Sequence, residues 1–156
     1  MTVKFEGTLL VVNDIEISKK FYKDMFDLDV IYDFGANATL TGGISLQTRS
    51  SWIQFTGIGE KDVRYKGNDM ELCFTGTDVD EFDKKVKKNN VKYYQKMTEM
   101  PWGQRTVRIY DPDDHVIEVG EDMVFAAKRL LSEGMSIEDV SKKTMFPIEA
   151  IRSFIS

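Results

Sequence analysis

The 156-residue chain has a single cysteine, a single histidine and three prolines. One cysteine excludes an internal disulfide framework. One histidine excludes a His-rich metal site, so any bound metal would depend mostly on carboxylates. No apolar run approaches the ~18 residues of a membrane span. The opening Met-Thr-Val-Lys-Phe-Glu also lacks a basic region followed by a long apolar stretch. A cytoplasmic location with no membrane contact is therefore expected. Positive charge is scarce too: 21 Lys and Arg against 26 Asp and Glu leave a net charge of −5. That balance works against a nonspecific grip on nucleic acid, which needs clustered Lys and Arg to release counterions. What is present, 42% hydrophobic and 30% charged residues, is the mixture of an ordinary soluble globular protein. The length suits one domain, or a compact core with a small appendage.

The most informative stretch is Arg108-Ile109-Tyr110-Asp111-Pro112-Asp113-Asp114-His115-Val116-Ile117-Glu118-Val119. Two apolar-rich runs flank Asp-Pro-Asp-Asp, where Pro presets a turn dihedral and the Asp side chains bond their own backbone, so the segment reads as a β-hairpin. On a strand Glu118 shares a face with Val116 and not with Ile117 or Val119. If that face is buried, the carboxylate needs a donor, a cation or a metal. If it is an edge position, the carboxylate points at water. Alternation gives a face without its burial, and both readings stand at this point.

Phe5–Val12 is a strand candidate ending at Asn13-Asp14, and Asp14 is placed to cap a helix. Ile17, Phe21 and Met25, with Tyr22 and Phe26 beside them, recur at helical spacing over residues 15–26. Strand candidates come next at Asp29–Phe34, Ala38–Leu40 and Ile44–Thr48, and Trp52–Phe55 is a candidate extension of the last hairpin. Residues 57–69 turn to Gly, Lys, Asp and Glu without periodicity and read as a linker. The second half repeats the pattern. Met70–Thr75 is a strand candidate, Asp78 caps a helix with Glu81 three residues on, and Val79, Phe82 and Val86 form its apolar stripe. Strands are expected after it at Val91–Gln95, Thr106–Tyr110 and Val116–Val119.

Each half thus reads strand, helix, three strands: an α+β chain of two βαβββ modules, about 5–56 and 69–119, within a domain of residues 1–120. A βαβββ unit cannot cover both faces of its own sheet, so two are expected to pair into a curved half-barrel around a cleft, with helices outside. Gly7 lies seven residues before Asp14, and Glu71 seven before Asp78. Gly7, Glu71, Glu118 and one residue of Ile44–Thr48 are accordingly candidates to converge.

Leu10-Val11-Val12-Asn13-Asp14 running into Phe21-Tyr22, Glu71–Phe74 with Asp78, and Trp102-Gly103-Gln104-Arg105 leading to Asp-Pro-Asp-Asp-His-Val-Ile-Glu together resemble the vicinal oxygen chelate superfamily. That group includes glyoxalase I, bleomycin-resistance proteins, fosfomycin-resistance transferases, methylmalonyl-CoA epimerase and extradiol dioxygenases. The resemblance implies paired βαβββ modules, usually in a homodimer. It further implies, for the enzymes, a divalent metal held by four side chains, typically His and Glu, at equivalent places in the two modules. Carried onto this chain, those places fall on Gly7, on Ser45 or Gln47, on Glu71 and on Glu118. Two carboxylates remain of four ligands, so no cofactor is expected; a divalent metal stays possible with an incomplete ligand set. His115 sits in the hairpin turn, where a structural role is the simpler reading.

The superfamily's bleomycin-resistance members bind a small molecule without a metal, which needs an apolar, aromatic cleft with a few fixed polar groups. Trp52 and Trp102 offer stacking faces, Arg105 and Arg108 charge-assisted donors, and Gln47 and Gln104 amides. With Glu71 and Glu118 these make up the expected ligand site: Gln47, Trp52, Glu71, Trp102, Gln104, Arg105 and Glu118. Cys73 shares a strand face with Glu71, with buried packing as its simpler role. Residues 121–156 form a helical tail. Met123, Ala127, Leu130 and Leu131 make one stripe ended by Gly134, Ser136 and Asp139 start a second helix, and Pro147 opens a third. The second and third resemble a helix-turn-helix, but five Lys or Arg against six Asp or Glu leave no basic recognition face. Three functions remain open: a metal-independent small-molecule binding protein; a metal-dependent glyoxalase-like lyase, isomerase or thiol transferase; and a ligand-responsive regulator using the tail.

Overall fold

The computed structural model of the protein describes residues 1–155. They form two compact units, residues 1–67 with 111–115, and residues 68–110 with 116 onward.

In the first unit, β1 (Thr8–Val12) leads into α1 (Ile15–Phe26), followed by β2 (Val30–Asp33), β3 (Asn37–Leu40), β4 (Ile44–Thr48) and α2 (Arg49–Thr56). The sheet order is β1-β4-β3-β2, with β1 parallel to β4 and the other pairs antiparallel. The α1 start is set by Asp14, whose carboxylate accepts from the Glu16 and Ile17 N–H groups at 2.9 and 3.1 Å, relieving two of the helix's orphan donors. Strand alternation puts Leu10, Val12, Ala38, Leu40, Ile44 and Leu46 on one face of the sheet. All six are buried, as are Ile15, Tyr22 and Met25 of α1. The opposite face carries Leu9, Val11, Asn37, Thr39, Ser45 and Gln47.

Two sequence expectations change here. The first strand begins at Thr8, because Phe5 is exposed and Gly7 adopts φ +145°. Residues 49–56 are a helix, not an extension of the hairpin. Ser51 Oγ donates to the Thr48 carbonyl at 3.0 Å and Gly57 closes the far end at φ 72°. The Gly57 C-cap, whose N–H donates to the Ile53 carbonyl at 2.9 Å, is a helix signal that outweighs the strand-like apolar run of Trp52, Ile53 and Phe55.

The turn at Asp111–His115 belongs to this first unit. Asp111 Oδ1 accepts from the N–H groups of Asp113 and His115, both at 2.9 Å, while Oδ2 accepts the Tyr22 hydroxyl at 2.9 Å. Asp113 Oδ1 accepts from the Asn13 backbone and side chain at 3.1 and 2.6 Å. His115 Nδ1 bonds Asp111 Oδ2 at 2.8 Å. Burial opposes the charge on that imidazole, yet the hydrogen bond to Asp111 and the charges of Asp111, Asp113 and Asp114 outweigh it and raise its pKa.

The second unit repeats the topology with β5 (Glu71–Gly76), α3 (Val79–Lys88), β6 (Tyr93–Glu99), β7 (Arg105–Tyr110) and β8 (Val116–Glu121), in the order β5-β8-β7-β6. Asp78 caps α3 through the Glu81 N–H at 2.8 Å, and Lys85, Lys87 and Lys88 sit in its last turn, where cations favour the helix dipole. Buried Val107, Ile109, Ile117 and Val119 share one face of this sheet, and buried Val79 and Val86 lie on α3. The chain continues as α4 (Met123–Ser132), α5 (Ile137–Thr144) and α6 (Ile148–Ile155). Ala127, Leu130, Val140 and Ile151 form the buried core of these three helices, with Phe146 and Phe154 edge to face beside it. Among the described residues no helix is long and apolar enough to cross a membrane.

Candidate functional site

The polar residues of the second sheet collect on the face opposite Val107, Ile109 and Ile117. Cys73 on β5, Glu118 on β8, Arg108 on β7 and Gln95 on β6 are register partners in one row across all four strands. Glu71 sits two residues before Cys73 on the same face. Gln95 reaches the row because β6 is irregular between Tyr93 and Gln95. A bulge of this kind re-aims one side chain.

Arg108 organises the row. Its Nε donates to Glu71 Oε2 at 2.8 Å, one terminal nitrogen to Gln95 Oε1 at 2.6 Å and to Thr106 Oγ1 at 3.4 Å, and the other terminal nitrogen to Glu118 Oε2. Side chains of Arg108 and Glu118 are 17% and 15% exposed, so the charges are largely removed from water and the pairing is what makes their burial tolerable. The two sequence readings of Glu118 thereby reduce to one: it is paired on a half-buried face. Burial raises its pKa and the nearby Glu71 adds to that, against the Arg108 charge. Cys73 is exposed on this face and not packed in the core as the sequence suggested; partial desolvation, then Glu71 and Glu118, push its thiol up, which makes it a poor nucleophile.

Beside this row lies a cavity of about 690 Å³. Asn68, Asp69, Glu71, Gln95 and Arg108 supply its polar wall, and Met70, Tyr94 and Val116 its apolar one. Tyr94 stands edge-on to Tyr110 at 5.6 Å, and the Tyr110 hydroxyl donates to Asn68 Oδ1 at 2.8 Å. Asn68, Asp69, Met70, Tyr94 and Gln95 carried no signal in the sequence reading. Three of them precede the first strand of the module, and the other two depend on the bulge.

The sequence-chosen residues separate into three groups. Glu71 and Glu118 share the Arg108 row. Gln104 lies against the same face, where Gly120 leaves room: a Cβ at Gly120 would stand 2.7 Å from Gln104 Nε2 and 3.7 Å from Glu118 Oε1. Its amide donates to the Glu121 carbonyl at 2.8 Å and accepts from Trp102 Nε1 at 2.9 Å, which fixes Trp102 with 43% of its surface exposed. Arg105 belongs elsewhere. It is three residues from Arg108, hence on the other face, where it pairs with Asp80 at 2.8 Å and Glu121 at 3.1 Å. Gln47 and Trp52 are in the first unit. Gln47 is buried, its amide donating to Ser51 Oγ at 3.1 Å, and Trp52 lies half-buried on α2.

The donor set does not match the four-ligand metal centre that the family resemblance implies. Gly7 brings no donor, and an added Cβ would stand 2.1 Å from the Gly43 carbonyl oxygen at a φ of +145°. Ser45 and Gln47 are neutral. Both carboxylates of the second module are bonded to one guanidinium, and its positive charge stands where a metal would compete for the same oxygens.

Solved structures share this fold. A protein of unknown function from Agrobacterium tumefaciens strain C58 is 30% identical, with a TM-score of 0.67 over 78% of this chain and 96% of that one. A glyoxalase/bleomycin resistance protein/dioxygenase family enzyme from Burkholderia phytofirmans is 14% identical, with a TM-score of 0.68 over 76% and 98%. A lactoylglutathione lyase from Agrobacterium tumefaciens is 22% identical, with a TM-score of 0.55 over 74% and 90%. No curated protein matches the chain in sequence. The model of the glyoxalase-like domain matches residues 5–124, and with repeated βαβββ modules inside that span the chain belongs to this family, in the glyoxalase/bleomycin resistance/dioxygenase superfamily.

Proposed function

We propose that the protein binds a small polar molecule in the second-module cavity and does so without a divalent metal. The observation that carries this reading is the cavity itself, about 690 Å³ beside a fixed row of hydrogen-bonding side chains. That volume falls within the ~300–1,000 Å³ usual for small-molecule sites. Arg108, held from three sides, presents a pre-ordered polar floor, and Met70, Tyr94 and Val116 supply an apolar wall for the body of the ligand. The reading extends to a homodimer, supported by an edge strand β2 whose Val30, Ile31, Tyr32 and Phe34 neighbourhood is exposed.

The test is a thermal-shift screen of small aromatic and polar compounds in chelator-containing buffer, repeated on Gln95→Ala and Tyr94→Ala. Compounds that raise the melting temperature of the native protein and lose that effect in both variants support the site. Compounds that shift all three proteins alike place binding elsewhere.

One observation favours a second reading. Donor atoms of Glu71, Cys73 and Glu118 lie within 4.8 Å of one another, a grouping from which a metal-dependent lyase, isomerase or thiol transferase would draw its ion after Arg108 moved aside. Its mark would be stoichiometric metal in protein purified without chelator.

A further inference from the structure

Building on the metal-free reading above, we propose that Arg108 is a built-in replacement for the divalent ion. It neutralises Glu71 and Glu118 and keeps metal out, and its removal turns the same donors into a metal site.

The backbone places the donors. Glu118 and Cys73 are register partners on adjacent parallel strands, and Glu71 lies one same-face step along β5. An oxygen of each glutamate and the Cys73 sulfur all fall within 4.8 Å of one another. Tetrahedral zinc with bonds of about 2.0–2.3 Å needs ligand separations of roughly 3.3–3.8 Å. Cys73 Sγ and Glu71 Oε1 are already 3.9 Å apart, and the excess over the tetrahedral separation is at most about 1.5 Å, which glutamate rotamers span without moving the strands. Two carboxylates side by side, next to a thiol, also need a cation. The cation present is Arg108, bonded to both glutamates.

A guanidinium differs from other occupants of such a place. It does not lose its proton at any working pH, so no titration clears the site as it would with a lysine or a histidine. Its planar fork also meets Glu71 through Nε and Glu118 through a terminal nitrogen while the other terminal nitrogen is tied to Gln95. An incoming ion would have to break these charge-assisted bonds together. In the absence of the arginine, the ion gains two carboxylates and a sulfur and releases the thiol proton to solvent.

The experiment uses the full chain with cobalt(II) and zinc(II) as probes. Arg108→Met keeps much of the side-chain stem and removes the charge. In this variant one equivalent of cobalt(II) is expected to give a thiolate-to-cobalt absorption band, and zinc is expected to bind at least tenfold more tightly than to native protein. Adding Cys73→Ser should abolish the band, and adding Glu118→Gln should weaken zinc at least tenfold. Arg108→Gln is the second variant should circular dichroism show that the methionine form does not fold. The same cobalt band in native protein, or zinc protection of native Cys73 from maleimide, would overturn the proposal, as would a folded variant that takes up no metal. Failure of the ligand screen on native protein would instead remove the cavity reading and leave this result untouched.

Discussion

Replacing Glu121 by alanine should be among the most damaging single changes in the second unit. Its side chain is 3% exposed. It accepts from the Arg105 backbone at 3.3 Å, from the Arg105 side chain at 3.1 Å and from Arg129 at 3.0 Å. Removal leaves two largely buried guanidiniums short of their shared anion, a change of about 3–5 kcal/mol for a buried pair. Arg105 keeps Asp80, while Arg129 keeps Glu133 at 3.1 Å and the Gly103 carbonyl at 2.6 Å. The expected loss is therefore at the lower end, about 3 kcal/mol, or roughly 6–12 °C in melting temperature for a chain of this size. Urea and thermal unfolding measure it. A loss below about 1 kcal/mol, the scale of an exposed ion pair, would refute the reasoning that Glu121 is the buried anion on which Arg105 and Arg129 depend. The pH dependence has a definite sign. Burial works against ionised Glu121, but hydrogen bonds from Arg129 and Arg105 outweigh it and lower its pKa below the ordinary 4.5. Its contribution is present above 4.5 and lost as pH falls through the lowered value. Glu121→Gln should flatten that part of the acid-unfolding curve.

Two further outcomes are expected. The raised pKa of His115 means that its charged form adds stability fully present below its ordinary 6.5 and lost as pH rises through the folded value; urea midpoints of His115→Gln should lack that decline between weakly acid and alkaline buffer. Gly7→Ala forces a Cβ to 2.1 Å from the Gly43 oxygen at φ +145°, so the variant should lose at least roughly 1–3 kcal/mol, whereas unchanged stability in a denaturant titration would show that the 7–43 backbone relaxes freely.

Much of the fold was legible because local signals agreed. Asp14 and Asp78 cap helices where the sequence placed them, Ile44–Thr48 is a strand of those bounds, and the tail yields three helices at its Gly, Ser and Pro marks. The site was less legible, since strand alternation separates two faces without naming the polar one. Arg105 and Arg108 looked equivalent in composition, yet an odd spacing sends them to opposite faces. The hairpin held the missing signal. Counting five residues either way from Asp113 gives Arg108 and Glu118, and counting eight gives Arg105 and Glu121. The first pair is joined across the polar face and the second across the helix-covered one. Gln95 was not recoverable by counting, because the β6 bulge breaks the parity that such a count relies on.

Whether Arg108, and no metal, balances the two carboxylates of the second module is decided most directly by calorimetry. Native, chelator-purified protein is titrated with zinc, nickel, manganese and iron(II). No saturable heat is expected with any of the four. One equivalent of tightly bound metal, lost in Glu118→Gln, would contradict the role assigned to Arg108.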